Sequence, residues 1–176
     1  SLLNAVQVAS ESIRNNIVKL SDTSVMNLII NGKPVDIEKA YNYAVNRAVF
    51  EVQQGYFDYN TSVRGLITEM AQNGLGVIEY ESGYRRRLDS AARMNVSDGI
   101  RSLNTSYRKI QGEQFGADGI ELSAHALCAP DHLPNQGKQF SNEEFEQLQS
   151  SLSRPFFTMN CHHSSFPIIL GVSDPA

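Results

Sequence analysis

Asp118-Gly119-Ile120-Glu121-Leu122-Ser123-Ala124-His125 is the stretch that decides the fold class. From Ile120 to His125 apolar and polar side chains alternate strictly, and successive side chains of a strand point to opposite faces. The spacing predicts a strand with Ile120, Leu122 and Ala124 on a buried face. Glu121, Ser123 and His125 would then project together from the other face. A chain otherwise dominated by helical patterns therefore holds a sheet, and its class is α+β.

Upstream of this strand, Ala92, Val96, Gly99-Ile100, Leu103, Tyr107 and Ile110 recur at helical spacing. They predict a long helix from about Asp89, stopped at Gly116. Before it, Val77-Ile78-Glu79-Tyr80 reads as a short strand, Ser82-Gly83 as a turn and Tyr84 to Leu88 as a return strand. Ahead of Gly76 the texture is helical. Leu3, Val6, Ile13, Ile17 and Leu20 predict a helix over residues 2–20. Asn31-Gly32-Lys33-Pro34 is a turn signal. Asp36 can cap a helix whose apolar side is Ile37, Ala40, Tyr41, Ala44, Val45, Ala48, Val49 and Val52, ended by Gly55. A further helix, capped by Asn60 or Thr61, carries Val63, Leu66, Ile67 and Met70 and closes at Asn73-Gly74.

Downstream, residues 126–140 are rich in Pro, Asn and Gly and predict a loop. Ser141-Asn142-Glu143-Glu144 reads as a capping box opening a short helix. Phe166 to Val172 reads as a final strand. The expected architecture is a helical bundle or arm over 1–75, followed by a small mixed α/β module over 76–176 with a short antiparallel sheet.

The bulk properties narrow the function classes. With 176 residues, 41% hydrophobic and 19% charged, the chain can bury a core and is not of disordered composition. A net charge of −4 argues against tight sequence-independent binding to DNA, which needs clustered cations. The one basic knot is Arg85-Arg86-Arg87, most simply the charged edge of a hairpin. Its sharper alternative is a contact with DNA or a neighbouring subunit. No run approaches the roughly 20 apolar residues of a membrane span. No basic start precedes an apolar stretch, as a secretory signal requires. Ser1-Leu2-Leu3-Asn4 reads as mid-helix, so a longer parent protein is expected. Two cysteines make no disulfide framework, which fits a reducing cytoplasm.

All four histidines and both cysteines lie between His125 and His163. One cluster is His125-Ala126-Leu127-Cys128-Ala129-Pro130-Asp131-His132, the other Asn160-Cys161-His162-His163. Thiolate and imidazole are the ligands zinc prefers, so Cys128 with His132 and Cys161 with His163 could supply four donors. The spacings Cys-x-x-x-His and Cys-x-His fit common zinc fingers poorly. The plainer alternative is that these groups hydrogen-bond a long loop to the sheet, with the cysteines as small buried apolar residues. Catalysis is the third possibility, with His125 beside Ser123 and Glu121 and facing His132 or His163 as general acid and base. No activated nucleophile accompanies them. Arg93 could pair with Glu121 or a loop carbonyl, or simply face solvent.

The ordered set Leu88-Asp89-Ser90-Ala91-Ala92-Arg93-Met94-Asn95-Val96, Ser123-Ala124-His125, Pro130-Asp131-His132, Gln136-Gly137-Lys138-Gln139-Phe140-Ser141 and Asn160-Cys161-His162-His163, with Pro167 and Gly171, resembles the phage minor capsid protein 2 family. That family is similar to the Mu F-like head morphogenesis proteins. The resemblance runs from about residue 35 to the end and is densest after Gly76. It implies a virion structural protein, present in few copies at the portal or inner face of the head, that acts by contacts with the portal or major capsid protein. It implies no settled catalytic activity and no membrane partner. The virion, with the host cytoplasm during assembly, is the implied location. Arg93, Gln136, Gly137 and Asn160 carry over as structural motif residues. The family carries Arg or Gly where this chain has His162, and many relatives lack a cysteine at Cys128. The better zinc set is then His125, His132, Cys161 and His163, with Cys128 as an alternate. The rival is a virion-associated enzyme or toxin-like module, a nuclease or nucleotide-modifying one, using His125, His132 and His163.

Overall fold

The structure, a computed structural model, describes residues 27–30, 32–79, 83–158 and 161–174. The helix expected over 2–20 and the motif residue Asn160 lie outside the described residues. Among those described, four helices and seven short strands make an α+β fold, as expected. They form two compact units, one running up to Ile100 and the other from Arg101.

The first unit opens with strands β1 (Asn27–Ile30) and β2 (Lys33–Asp36), paired antiparallel from Asn27↔Asp36 to Ile30↔Lys33. The Gly32 turn signal thus closes a hairpin, with Gly32 at φ 73°. Helix α1 (Ile37–Gln53) begins where the Asp36 carboxylate accepts from the Lys39 N–H at 3.1 Å. Ile37, Ala40, Tyr41, Ala44, Val45, Ala48 and Val49 are all buried, one face of a 3.6-residue period. Helix α2 (Tyr59–Gln72) is capped by Asp58 and not by Asn60 or Thr61. The Asp58 carboxylate accepts from the N–H groups of both those residues, which already lie in the first helical turn. Val63, Leu66 and Met70 face α1 residues in a single core.

Strands β3 (Val77–Glu79) and β4 (Arg85–Arg87) form the expected hairpin. Helix α3 (Leu88–Gln114) follows without a break. Its first turns bury Leu88, Ala91, Ala92 and Val96 in the same core. Two polar ties accompany them: Asn95 Nδ2 donates to the Tyr41 hydroxyl at 2.9 Å, and the Tyr59 hydroxyl donates to the Arg93 carbonyl at 2.9 Å. Further along the predicted stripe, Tyr107 is exposed.

The second unit is built on a three-stranded antiparallel sheet in the order β6-β5-β7. Strand β5 (Gly119–Leu122) is central, between β6 (Gln139–Ser141) and β7 (Ser165–Ile168). Here the alternation expected through His125 is corrected. The strand stops at Leu122, Ala124 is exposed, and Glu121 is buried. Both partners leave the ladder at that point: Leu122 takes its last bonds from the 137–138 segment, and Ser123 N–H reaches Ser164 O at 2.9 Å. Glu121 accepts from Gln139 Nε2 of the neighbouring strand at 2.9 Å, so its buried polar head is satisfied.

The last strand also ends earlier than Val172. Val172 and Ser173 N–H turn back to Ile169 O, and Gly171 takes φ 74°. Helix α4 (Asn142–Ser151) has the predicted capping box, Ser141 and Glu144 each bonding the other's backbone N–H. Leu122, Phe156, Phe157 and Cys161 form this unit's core, with Ile120, Phe140, Phe145, Leu148 and Leu152 against it.

Candidate metal centre

The residues after β5 carry the chemistry, because the chain leaves the sheet there and doubles back. Ala129 O accepts from both His132 and Leu133 N–H, a single helical turn inside the predicted loop. That turn points the His132 ring inward, where it stacks on Phe156 with centroids 4.1 Å apart. Gly137, at φ 69°, then returns the chain to Leu122 O at 2.8 Å. The Cys161–Ser164 segment runs in toward β7 and supplies the other side.

Both predicted clusters converge. His132, Cys161 and His163 are all buried, and one donor atom from each lies within 4.8 Å of the other two. Cys161 Sγ is 3.3 Å from His163 Nδ1 and 3.7 Å from His132 Nδ1. His125 joins from the rim, with its Nε2 3.3 Å from His163 Nδ1. Together with Cys128, Ala129, Arg154 and Thr158 these residues line a cleft of about 540 Å³. Cys128 is half-buried on the cleft wall and is not one of the converging trio.

The far nitrogen of each ring is tied down. His125 Nδ1 is 2.9 Å from Ala126 O, and His132 Nε2 is 2.7 Å from Arg154 O. Carbonyl oxygens only accept, so both nitrogens carry the proton. His163 Nε2 is 3.4 Å from Gln136 Oε1, which also accepts from the His125 backbone N–H at 3.2 Å. That backbone donor identifies the Gln136 atom as oxygen, and His163 Nε2 therefore donates as well. Gln136 and Gly137, picked out as motif residues, thus shape this site directly.

Burial above all, then the nearby rings of His125, His132 and His162, pushes His163 down from 6.5 to about 4. His162 is exposed, with its Nδ1 3.2 Å from Arg101; the slight desolvation of its ring, then the charges of Arg101 and His125, lower it too. Asp131 grips the Arg154 guanidinium and is held below the usual carboxylate range by it.

Other singled-out residues lie elsewhere. Arg93 is exposed on α3, with its carbonyl bound by Tyr59. Within the basic knot, Arg85 pairs with Glu79, Arg87 with Asp89, and Arg86 lies over the Tyr84 ring. Sequence reasoning missed Arg154 and Phe156, which seat His132. A backbone carbonyl leaves no mark in composition, though Phe156-Phe157 was a visible apolar pair.

The model of a family described as phage minor capsid protein 2 matches residues 5–176. The chain belongs to the phage minor capsid protein 2 family. This makes it a bacteriophage protein with a structural role in the virion. No curated protein and no solved structure gives a significant match. No described helix is long and apolar enough to cross a membrane. Within the family assignment, the His/Cys trio is the feature that calls for a chemical account.

Proposed function

We propose that the protein takes its place in the phage head by direct contacts with the portal or the major capsid protein. The family match over nearly the whole chain is the observation that carries this. A surface feature supports it. Tyr43 and Phe50 stand exposed on one side of α1, and Tyr56 and Phe57 follow them, also exposed. Phe50 and Tyr56 rings lie 6.1 Å apart. Aromatic side chains held out in water are enriched where proteins meet, because they bury large area with few torsions to freeze. Paired cations in the basic knot lend DNA no comparable support.

The test is crosslinking and mass spectrometry on purified virions. Crosslinks from Lys39, near the aromatic row, to portal or major capsid protein are the expected outcome. Virions that lack the protein would sink the proposal. The second candidate is a virion-associated nuclease or nucleotide-modifying enzyme, favoured by the open cleft at His125 and His163. Against it, Ser123 is not among the residues that line the cleft, and the Thr158 hydroxyl that does line it donates to the Pro155 carbonyl at 2.7 Å. Degradation of DNA or RNA by purified protein, lost in His125→Ala, would establish that alternative instead.

A further inference from the structure

We propose that Cys161, His132, His163 and His125 bind a zinc ion, with Cys161 Sγ, His132 Nδ1, His163 Nδ1 and His125 Nε2 as its donors.

Each imidazole spends its one proton on an oxygen: His125 on Ala126 O, His132 on Arg154 O and His163 on Gln136 Oε1. The inward nitrogens are therefore bare lone pairs. Three short contacts join them: Cys161 to His132, Cys161 to His163, and His125 to His163. The thiol can supply one proton to one of these contacts. The His125–His163 approach would still set lone pair against lone pair. A central cation turns every one of those mutual repulsions into a bond. Tying the outer imidazole nitrogen to a carbonyl is also how proteins fix the tautomer and aim of a metal-bound histidine. Gln136 and Arg154 take that part here, and Asp131 holds Arg154 in place.

The spacing agrees. A tetrahedral shell with Zn–N of about 2.05 Å and Zn–S of about 2.3 Å sets nitrogens about 3.3 Å apart and nitrogen from sulfur about 3.6 Å. The structure has 3.3 Å between the His125 and His163 nitrogens, and 3.3 and 3.7 Å from Cys161 Sγ to the other two. His125 meets the group through His163 and stands outside the trio whose donors all lie within 4.8 Å of one another, so a bound ion would draw its ring inward. One thiolate with imidazoles suits zinc, and hard cations such as Mg²⁺ or Ca²⁺ prefer oxygen. Binding releases one proton, from the Cys161 thiol to solvent, and leaves the three histidines neutral. Four protein donors close the shell, which marks a structural ion. It would fasten the loop carrying His125 and His132 to the segment carrying Cys161 and His163. Nothing in this depends on which virion protein the chain contacts.

The experiment is metal analysis of the full chain purified without chelator, then cobalt substitution and titration of variants. About one equivalent of zinc is expected; below about a tenth of an equivalent, after zinc addition and desalting, the site does not exist. Cobalt-loaded protein should show a near-ultraviolet thiolate charge-transfer band and the intense visible bands of tetrahedral cobalt. A spectrum without the thiolate band overturns the assignment of Cys161, and this holds even where Cys161→Ala fails to fold. His125→Ala should weaken zinc at least about tenfold, since it opens one corner of the shell. Unchanged affinity there, or loss on His162→Ala instead, overturns the fourth donor.

Discussion

Gly119 illustrates how much one residue without a side chain can hold in place. It opens β5, and a Cβ there would sit 2.6 Å from the carbonyl oxygen of Phe140 and 2.9 Å from Leu170 Cγ. The first of these is backbone of the paired strand and cannot swing aside. Gly119→Ala should therefore destabilise the protein by about 1–3 kcal/mol, the usual cost of overpacking. A lower urea midpoint with unchanged slope would show it, and an unchanged midpoint would refute it. In the sequence Gly119 merely leads into the alternating stretch. Its tight approach to β6 depends on a partner met much later in the chain. The histidines divide the same way. Their crowding between His125 and His163 was plain in the sequence. Which nitrogen each one offers was not, because carbonyls of Ala126 and Arg154 decide it.

Elements were legible where local physics fixes them. The apolar face of α1 and the capping box of α4 were both readable, since side chains within four residues of one another determine them. The cap of α2 was misplaced by two or three residues because Asp58, Asn60 and Thr61 are all capping residue types. The hairpin β1–β2 and the end of β5 were not readable, because strand limits depend on where partners leave. Asp58 makes a test at this scale. Its hydrogen bonds from Thr61, then from Asn60, hold its carboxyl below the ordinary 3.8. As pH falls, the unfolded chain takes up this proton before the folded one does. The cap's contribution is thus whole above 3.8 and is lost as pH drops through the lower folded value. Urea midpoints measured from pH 5 to pH 3 should fall more steeply for the wild type than for Asp58→Asn. Equal slopes would remove the cap from the acid response.

For the whole molecule, the division at Ile100 and Arg101 gives each unit its own core. The proposed zinc lies in the unit that starts at Arg101. Removing it should therefore act unevenly. After chelation, amide hydrogen exchange should quicken across 119–141 and 161–168, while α1 and α2 keep their protection. Uniform quickening, or none, would argue that the ion does not brace this unit. The class of fold was readable from one alternating stretch, and the family from motifs in fixed order. The sequence places its change of texture at Gly76, whereas α3 reads as one continuous helix and nothing in its pattern marks a boundary at Arg101.

The placement of β5 between two strands that follow it in the chain bears on synthesis. The ribosome delivers the middle of the sheet before either neighbour exists. For that interval β5 presents two open edges, each able to template pairing with another nascent copy. Its four residues, with Glu121 among them, make a poor template for such pairing. Brevity and one carboxylate in the central strand thus guard the newborn chain until Gln139–Ser141 and Ser165–Ile168 arrive to cover it.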